Sequence, residues 1–214
     1  MRMRKKKHTV QRMQSCNDIL ILEPGQLKGT WKEISSGKEL CVEIGCGKGS
    51  FVVEMAKRNQ DLFFIAFEKI PDVIVMAMEK AKHDNLSNVR FICGDAEQLG
   101  EIFEQNEVSS IYLNFSDPWP KKKHAKRRLT YRSFLESYRN VIKDGGTIIF
   151  KTDNRPLFDF SLTELAAINI PTSDVTNDLH HSEFAAENIM TEYEKIFSEK
   201  GFSINRVVGH IIKA

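Results

Sequence analysis

The 214 residues are 41% hydrophobic, enough for one domain around a single core, and no apolar run approaches the roughly 20 residues that a membrane-spanning helix needs. A formal net charge of +2 says little about partners by itself. The four cysteines, Cys16, Cys41, Cys46 and Cys93, show no C-x-x-C spacing, which argues against a zinc site or a disulfide framework.

The chain starts M-R-M-R-K-K-K-H, basic through residues 2–8, with no apolar h-region behind it. No secretory signal is read there, so the expected compartment is the cytoplasm. The first thirty or so residues lack strong periodicity and read as a flexible basic arm, of the kind that orders on binding RNA. Beyond Gly37, apolar runs of strand length alternate with amphipathic stretches of helical length. Strands are expected at 40–44, 62–67, 89–93 and 111–114, with helices at 51–57 and 71–82, the latter with Pro71 at its start. A stripe of Tyr131, Phe134, Leu135, Tyr138 and Ile142 predicts a helix over 130–143. Gly145 and Gly146 then read as a turn into a strand at 147–150, and the chain closes with a helix at 191–200 and a strand at 203–212. This alternation predicts a single α/β domain, doubly wound, with a mainly parallel sheet covered on both faces.

In such sheets ligands bind beyond the carboxyl ends of the strands. The first strand runs into E-I-G-C-G-K-G, residues 43–49. A phosphate-binding P-loop would need Ser or Thr after Lys48, where Gly49 stands, and a dinucleotide fingerprint would need its third glycine at Ser50. What remains, E-x-G-x-G-x-G, resembles motif I of the class I S-adenosylmethionine-dependent methyltransferases. That resemblance implies a seven-stranded, Rossmann-like sheet. Acidic residues recur at later strand ends: Glu68, Asp95 in G-D-A-E and Asp117 in S-D-P-W-P. S-adenosylmethionine presents an ammonium, a sulfonium, two ribose hydroxyls and an adenine amino group. Carboxylates suit these groups and would repel a pyrophosphate.

Residues 112–131 place Trp119 between Pro118 and Pro120, beside Asp117, followed by a cationic strip of Lys121, Lys122, Lys123, His124, Lys126, Arg127 and Arg128. An aromatic beside an acid can stack on a base and accept from its N–H groups, while the strip can hold phosphates. With L-N-F-S-D-P-W-P-K-K, F-K-T-D-N-R at 150–155 and N-I-M-T-E-Y-E at 188–194, the chain resembles the tRNA (guanine-N7-)-methyltransferases of bacteria. The resemblance implies a cofactor site at Glu43, Gly45, Gly47, Glu68, Asp95 and Asp117, with Asp117 also the active-site acid. It implies guanosine or tRNA contacts at Lys121, Asp153, Thr191, Glu192, Tyr193 and Glu194, and a tRNA-contacting strip over Lys122–Arg128. It further implies guanine 46 of the variable loop as the target, and is compatible with a monomer or a homodimer. Cys46, Ile196 and Ser203-Ile204-Asn205 depart from the family pattern, none at a proposed catalytic position. N7 of guanine has a free in-plane lone pair and no proton, so direct attack on the sulfonium methyl needs no general base. Asp153 has an alternative use as the N-cap of a following helix. His180-His181 lacks a third ligand at useful spacing, and no metal is expected. A nicotinamide-dependent oxidoreductase is disfavoured by the glycine spacing, and a non-catalytic RNA-binding module has no need of four acidic strand ends.

Overall fold

The alternating apolar runs pair edge to edge in a computed structural model that describes residues 8–213. Seven strands form one sheet in the order β3-β2-β1-β4-β5-β7-β6. They are β1 Glu39–Ile44, β2 Leu62–Phe67, β3 Val89–Ile92, β4 Val108–Asn114, β5 Ile142–Thr152, β6 Thr172–Thr176 and β7 Asn205–His210. The first five are parallel, while β7 runs antiparallel to both β5 and β6. The expected mainly parallel, doubly wound sheet is the one observed.

The described α-helices are α1 Thr9–Gln14, α2 Trp31–Ile34, α3 Ser50–Arg58, α4 Pro71–His83, α5 Leu99–Ile102, α6 Arg132–Val141, α7 Arg155–Ala167 and α8 Glu192–Ser198, with short 3-10 turns between elements, among them Lys122–Arg127 and Leu179–His181. Alternate strand residues point to opposite faces, and this sorts the core in two. Phe64, Ala66 and Phe91 pack with Val52 and Val53 of α3 and with Ile74, Val75 and Met78 of α4. Phe63, Ile65, Ile111, Ile148 and Phe150 pack on the other face with Leu135 and Tyr138 of α6 and Leu157 and Phe158 of α7. Burial of both faces explains why the central strands read as continuous apolar runs.

Three features differ from expectation. Residues 8–34 lie against the domain instead of forming a loose arm. Arg12 pairs with Glu79 at 2.6 Å, Thr9 donates to Asp72, and Lys82 reaches the Ser15 carbonyl and Asp18 at 2.8 and 2.7 Å. Leu20 bridges Phe91 at the sheet edge, and fully buried Trp31 donates its indole N–H to the Ile102 carbonyl at 2.9 Å. These anchors are single residues spaced by the surface they meet, so no helical or strand period betrays them. The basic residues before His8 lie outside the described residues. Second, Gly145-Gly146, expected as a turn into the strand, lies inside β5 as a bulge: Gly145 has φ 74°, and the pairing passes from Val108 opposite Ile142 to Ser110 opposite Thr147; a Cβ at Gly146 would come within 2.5 Å of the Ser109 carbonyl there. Third, β6 (T-S-D-V-T) has no apolar run to announce it and forms by pairing on β7. Among the described residues no helix is long and apolar enough to cross a membrane.

Candidate functional site

β1 lies between β2 and β4, so the connections leaving β1 and β4 diverge and open a cleft at the carboxyl edge. Gly45, Gly47 and Gly49 have φ of 76°, 57° and 76°, conformations that a side chain disfavours. The amides of Gly45 and Cys46 both donate to the Phe67 carbonyl at 2.8 Å. Glu68 braces the same loop, accepting from the Gly47 amide at 3.2 Å and from the Ile70 amide at 2.9 Å. A Cβ on Gly45 or Gly47 would meet nothing within 4 Å, whereas one on Gly49 would strike Ala77 at 2.5 Å. The first two glycines therefore face open space, and the third lets α3 close on α4.

That space is a cavity of about 690 Å³ bordered by Gly45, Glu68, Asp95, Glu97, Asp117 and Trp119, with Lys69 and Arg127 as its cations. Asp95 also caps the turn after β3: its side chain accepts from the Glu97 amide at 3.2 Å, and the Gln98 side chain accepts from the Asp95 amide at 3.3 Å. The cap and cavity positions thus coincide. Asp117 is exposed at the mouth, with no partner among the described residues.

A second cavity of about 310 Å³ lies between the glycine loop and the start of α8, bordered by Glu43, Gly47, Phe51, Thr191, Glu192, Tyr193 and Ile196. Gly45, Asn114 and Phe115 border both cavities. Glu43 is buried, and burial pushes its carboxyl up to about 7 despite the hydrogen bond from Asn114 and the charge of Lys151. Asn114 donates to one carboxylate oxygen at 2.9 Å. The other Glu43 oxygen, Oδ1 of Asn114 and Oγ of Ser116 are buried with no hydrogen-bond partner among the described residues. Buried polar atoms are rarely left unpaired, so this side of the cleft offers acceptors to a ligand that brings N–H and O–H groups.

The aromatic–basic segment folds back on itself. Trp119 adopts φ 40° and is held from outside: Arg128 donates to the Pro118 and Trp119 carbonyls at 3.0 and 3.1 Å and covers the Phe160 ring at 4.2 Å. Arg127 lies 4.8 Å over the Trp119 ring, and His124 meets its edge at 5.7 Å. Lys121, Lys122, Lys123 and Lys126 project into solvent. Of the expected strip, Arg128 therefore supports the tryptophan turn, while the four lysines remain free to meet phosphates.

The residues expected at the substrate gather at α8, with differing surroundings. Asp153 accepts from the Tyr193 hydroxyl at 3.3 Å. It does not cap the following helix: Asn154 does, accepting from the Leu157 amide at 2.9 Å, because it stands at the position whose side chain reaches back to that amide. Thr191 caps α8 in a reciprocal box with Glu194. Glu192 pairs with Lys48 and Lys80 at 3.0 and 2.8 Å. Tyr193 is 41% exposed, stacked on Phe197 at 4.0 Å and 5.1 Å from Phe115. Glu194 is fully buried against Lys151 at 2.8 Å and His180 at 2.9 Å. Burial alone would raise the Glu194 carboxyl, but the Lys151 charge and the bonds from Lys151, His180 and Asn188 outweigh it and hold it below the usual range. Lys151, Asn114 and Phe115 were missed from sequence; a lone lysine inside the apolar run of β5 was the available signal. Among the described residues no group of side chains could hold a metal.

Residues 37–207 match the model of a family described as "Putative methyltransferase". The tRNA (guanine-N(7)-)-methyltransferase of Brevibacillus brevis is 49% identical over 84% of this chain and 85% of its own length. That of Bacillus cytotoxicus is 45% identical over 97% of this chain and 95% of its own. A solved 16S rRNA methyltransferase superposes with a TM-score of 0.64 over 86% of this chain and 93% of its own, at 13% identity, a likeness of fold alone.

Proposed function

Because this chain belongs to the bacterial tRNA (guanine-N7-)-methyltransferase family, we propose that it methylates N7 of a guanine in tRNA from S-adenosylmethionine, at guanine 46 of the variable loop, in the cytoplasm. The observation that carries this reading is the pair of cavities meeting at Gly45, Asn114 and Phe115, one lined by carboxylates and the other by an aromatic wall.

The first cavity suits S-adenosylmethionine on the chemistry of its lining. Glu68, Asp95 and Asp117 of its lining accept from ammonium, hydroxyl and amino groups, and where the two cavities meet, the orphaned oxygens of Asn114 and of Glu43, which borders the second, need such donors. Gly45 and Gly47 leave the backbone open to close approach. Bound there, S-adenosylmethionine would supply a methyl group on a positively charged sulfur for transfer to the in-plane lone pair of guanine N7, the sulfur–methyl bond breaking as S-adenosylhomocysteine leaves.

The chain's residues then have the work of alignment, worth up to about 7–11 kcal/mol in favourable cases. Phe115 and Tyr193 offer rings against which a base can stack, and Asp153 orients the Tyr193 hydroxyl. Thr191 and Glu192 close the cavity from α8. The methylated guanine is cationic, and the Asp117 carboxylate at the mouth stabilises the charge as it develops. Lys121, with the lysines of the strip, meets the tRNA backbone. Incubation with S-adenosylmethionine and unmodified tRNA, followed by mapping of N7-methylguanosine, tests the reaction and the position together. Methyl transfer to another base, or none, would overturn the reading.

A further inference from the structure

α8 has seven residues, too few to hold its own shape in water, and none of its apolar side chains is buried. Tyr193 and Ile196 are 41% and 49% exposed, and the one buried residue of the helix is Glu194. A short helix anchored by a charge is an unusual way to build a cavity wall.

The anchor is fully specified. The Lys151 ammonium has three N–H donors, and they go to Glu194 at 2.8 Å, to Asn188 Oδ1 at 2.9 Å and to the Ile189 carbonyl at 2.9 Å. The second Glu194 oxygen accepts from His180 Nε2 at 2.9 Å and from Asn188 Nδ2 at 2.6 Å. Glu194 thereby joins β5, the turn Leu179–His181, the loop at 188–189 and α8. Lys151 stands two residues before Asp153, so the same tie sets Tyr193 opposite Asp153 and Phe115.

We infer that Lys151, Asn188 and His180 are positioning residues, which act through Glu194 to seat the first turn of α8 as the wall of the second cavity. Glu194 itself then serves the acceptor site from behind. Every oxygen of its carboxylate is spent inside the protein. This inference rests on taking the second cavity as the acceptor site, but the anchoring can be tested apart from it.

His180→Ala and Asn188→Ala are the variants of choice, since both side chains are partly exposed and neither change strands the Lys151–Glu194 pair. Each is expected to speed amide hydrogen exchange across 188–198 while leaving the central strands protected. Each raises the KM for tRNA by about ten-fold, the order expected for loss of one net hydrogen bond, with the Kd for S-adenosylhomocysteine within about two-fold of the parent. His180→Gln keeps an N–H donor and should recover most of the loss. Unchanged exchange across 188–198, a fall in S-adenosylhomocysteine affinity as large as the rise in KM, or a Gln variant as impaired as Ala would each overturn the inference. If the parent protein methylates no tRNA, the acceptor reading fails on its own, and the exchange data still decide whether the network anchors α8.

Discussion

Glu43 stands near the end of β1 with one carboxylate oxygen bonded to Asn114 and the other without a hydrogen-bond partner among the described residues. Burial raises its carboxyl from 4.5 to about 7. Between those values the folded chain holds a proton that the unfolded chain has released. The resulting stability is fully present below 4.5 and is lost as pH rises through about 7. Glu43→Gln removes the ionisation and keeps the shape. Its stability relative to the parent is expected to increase by about 2 kcal/mol between roughly pH 5.5 and pH 8.5, at about 1.36 kcal/mol per unit, in denaturant titrations. A difference that does not vary with pH would show that Glu43 is ionised throughout. Asp117 tests the opposite kind of acid, exposed and without a partner among the described residues. Asp117→Asn is isosteric, so the fold should be untouched while single-turnover methylation falls by about 100-fold, as when one transition-state charge partner is lost. Near-parental rates would remove Asp117 from the chemistry.

At the scale of elements, the glycine loop separates folding from binding within five residues. Gly49→Ala places a Cβ 2.5 Å from that of Ala77 at φ 76°, in the contact between α3 and α4. Left-handed strain and overpacking together should cost about 2–5 kcal/mol, visible as a lower Tm. Gly47→Ala meets no protein atom within 4 Å, so only the strain of about 1–2 kcal/mol remains. Its added methyl instead occupies the open space above the loop, and calorimetry should show weakened S-adenosylhomocysteine binding. Equal effects of the two substitutions on Tm and on binding would contradict this division. The loop was legible from E-I-G-C-G-K-G because a tight turn between strand and helix constrains local backbone, and local constraints leave local residue patterns. The parallel strands were legible for a related reason, burial on both faces. Lys151 and His180 were not, because their partner Glu194 is 43 and 14 residues away and no spacing rule links them. Nor was the turning inward of Arg128, whose acceptors are backbone carbonyls rather than side chains.

Over the whole molecule, the sheet brings the proposed functional residues to one edge, where both signs of charge meet. Glu68, Asp95, Glu97 and Asp117 line the first cavity with Lys69 and Arg127, while Lys121, Lys122, Lys123 and Lys126 are exposed on the segment that follows Trp119. The net charge of +2 conceals this arrangement because 31 basic residues nearly balance 29 acidic ones. The segment 8–34 contributes to the same organisation by packing α1 along α4, which begins at the cleft. In the proposed reaction the tRNA backbone meets Lys122, Lys123 and Lys126, all three exposed on the turn Lys122–Arg127. Each phosphate contact contributes a slope of about 0.7–0.9 to the fall of log affinity with log salt. Replacing the three lysines by glutamine should therefore flatten that slope by about 2–3 if each meets one phosphate, while Tm and S-adenosylhomocysteine binding stay as in the parent. Arg128→Gln should behave otherwise. It removes the two bonds that hold the Pro118 and Trp119 carbonyls, so the tryptophan turn loosens, and the methylation rate falls even at low salt where tRNA binding is saturated. If Arg128→Gln changed only the salt slope, Arg128 would belong with the lysines as a phosphate contact, and the tryptophan turn would be held by its prolines and by the packing of Arg127 and His124.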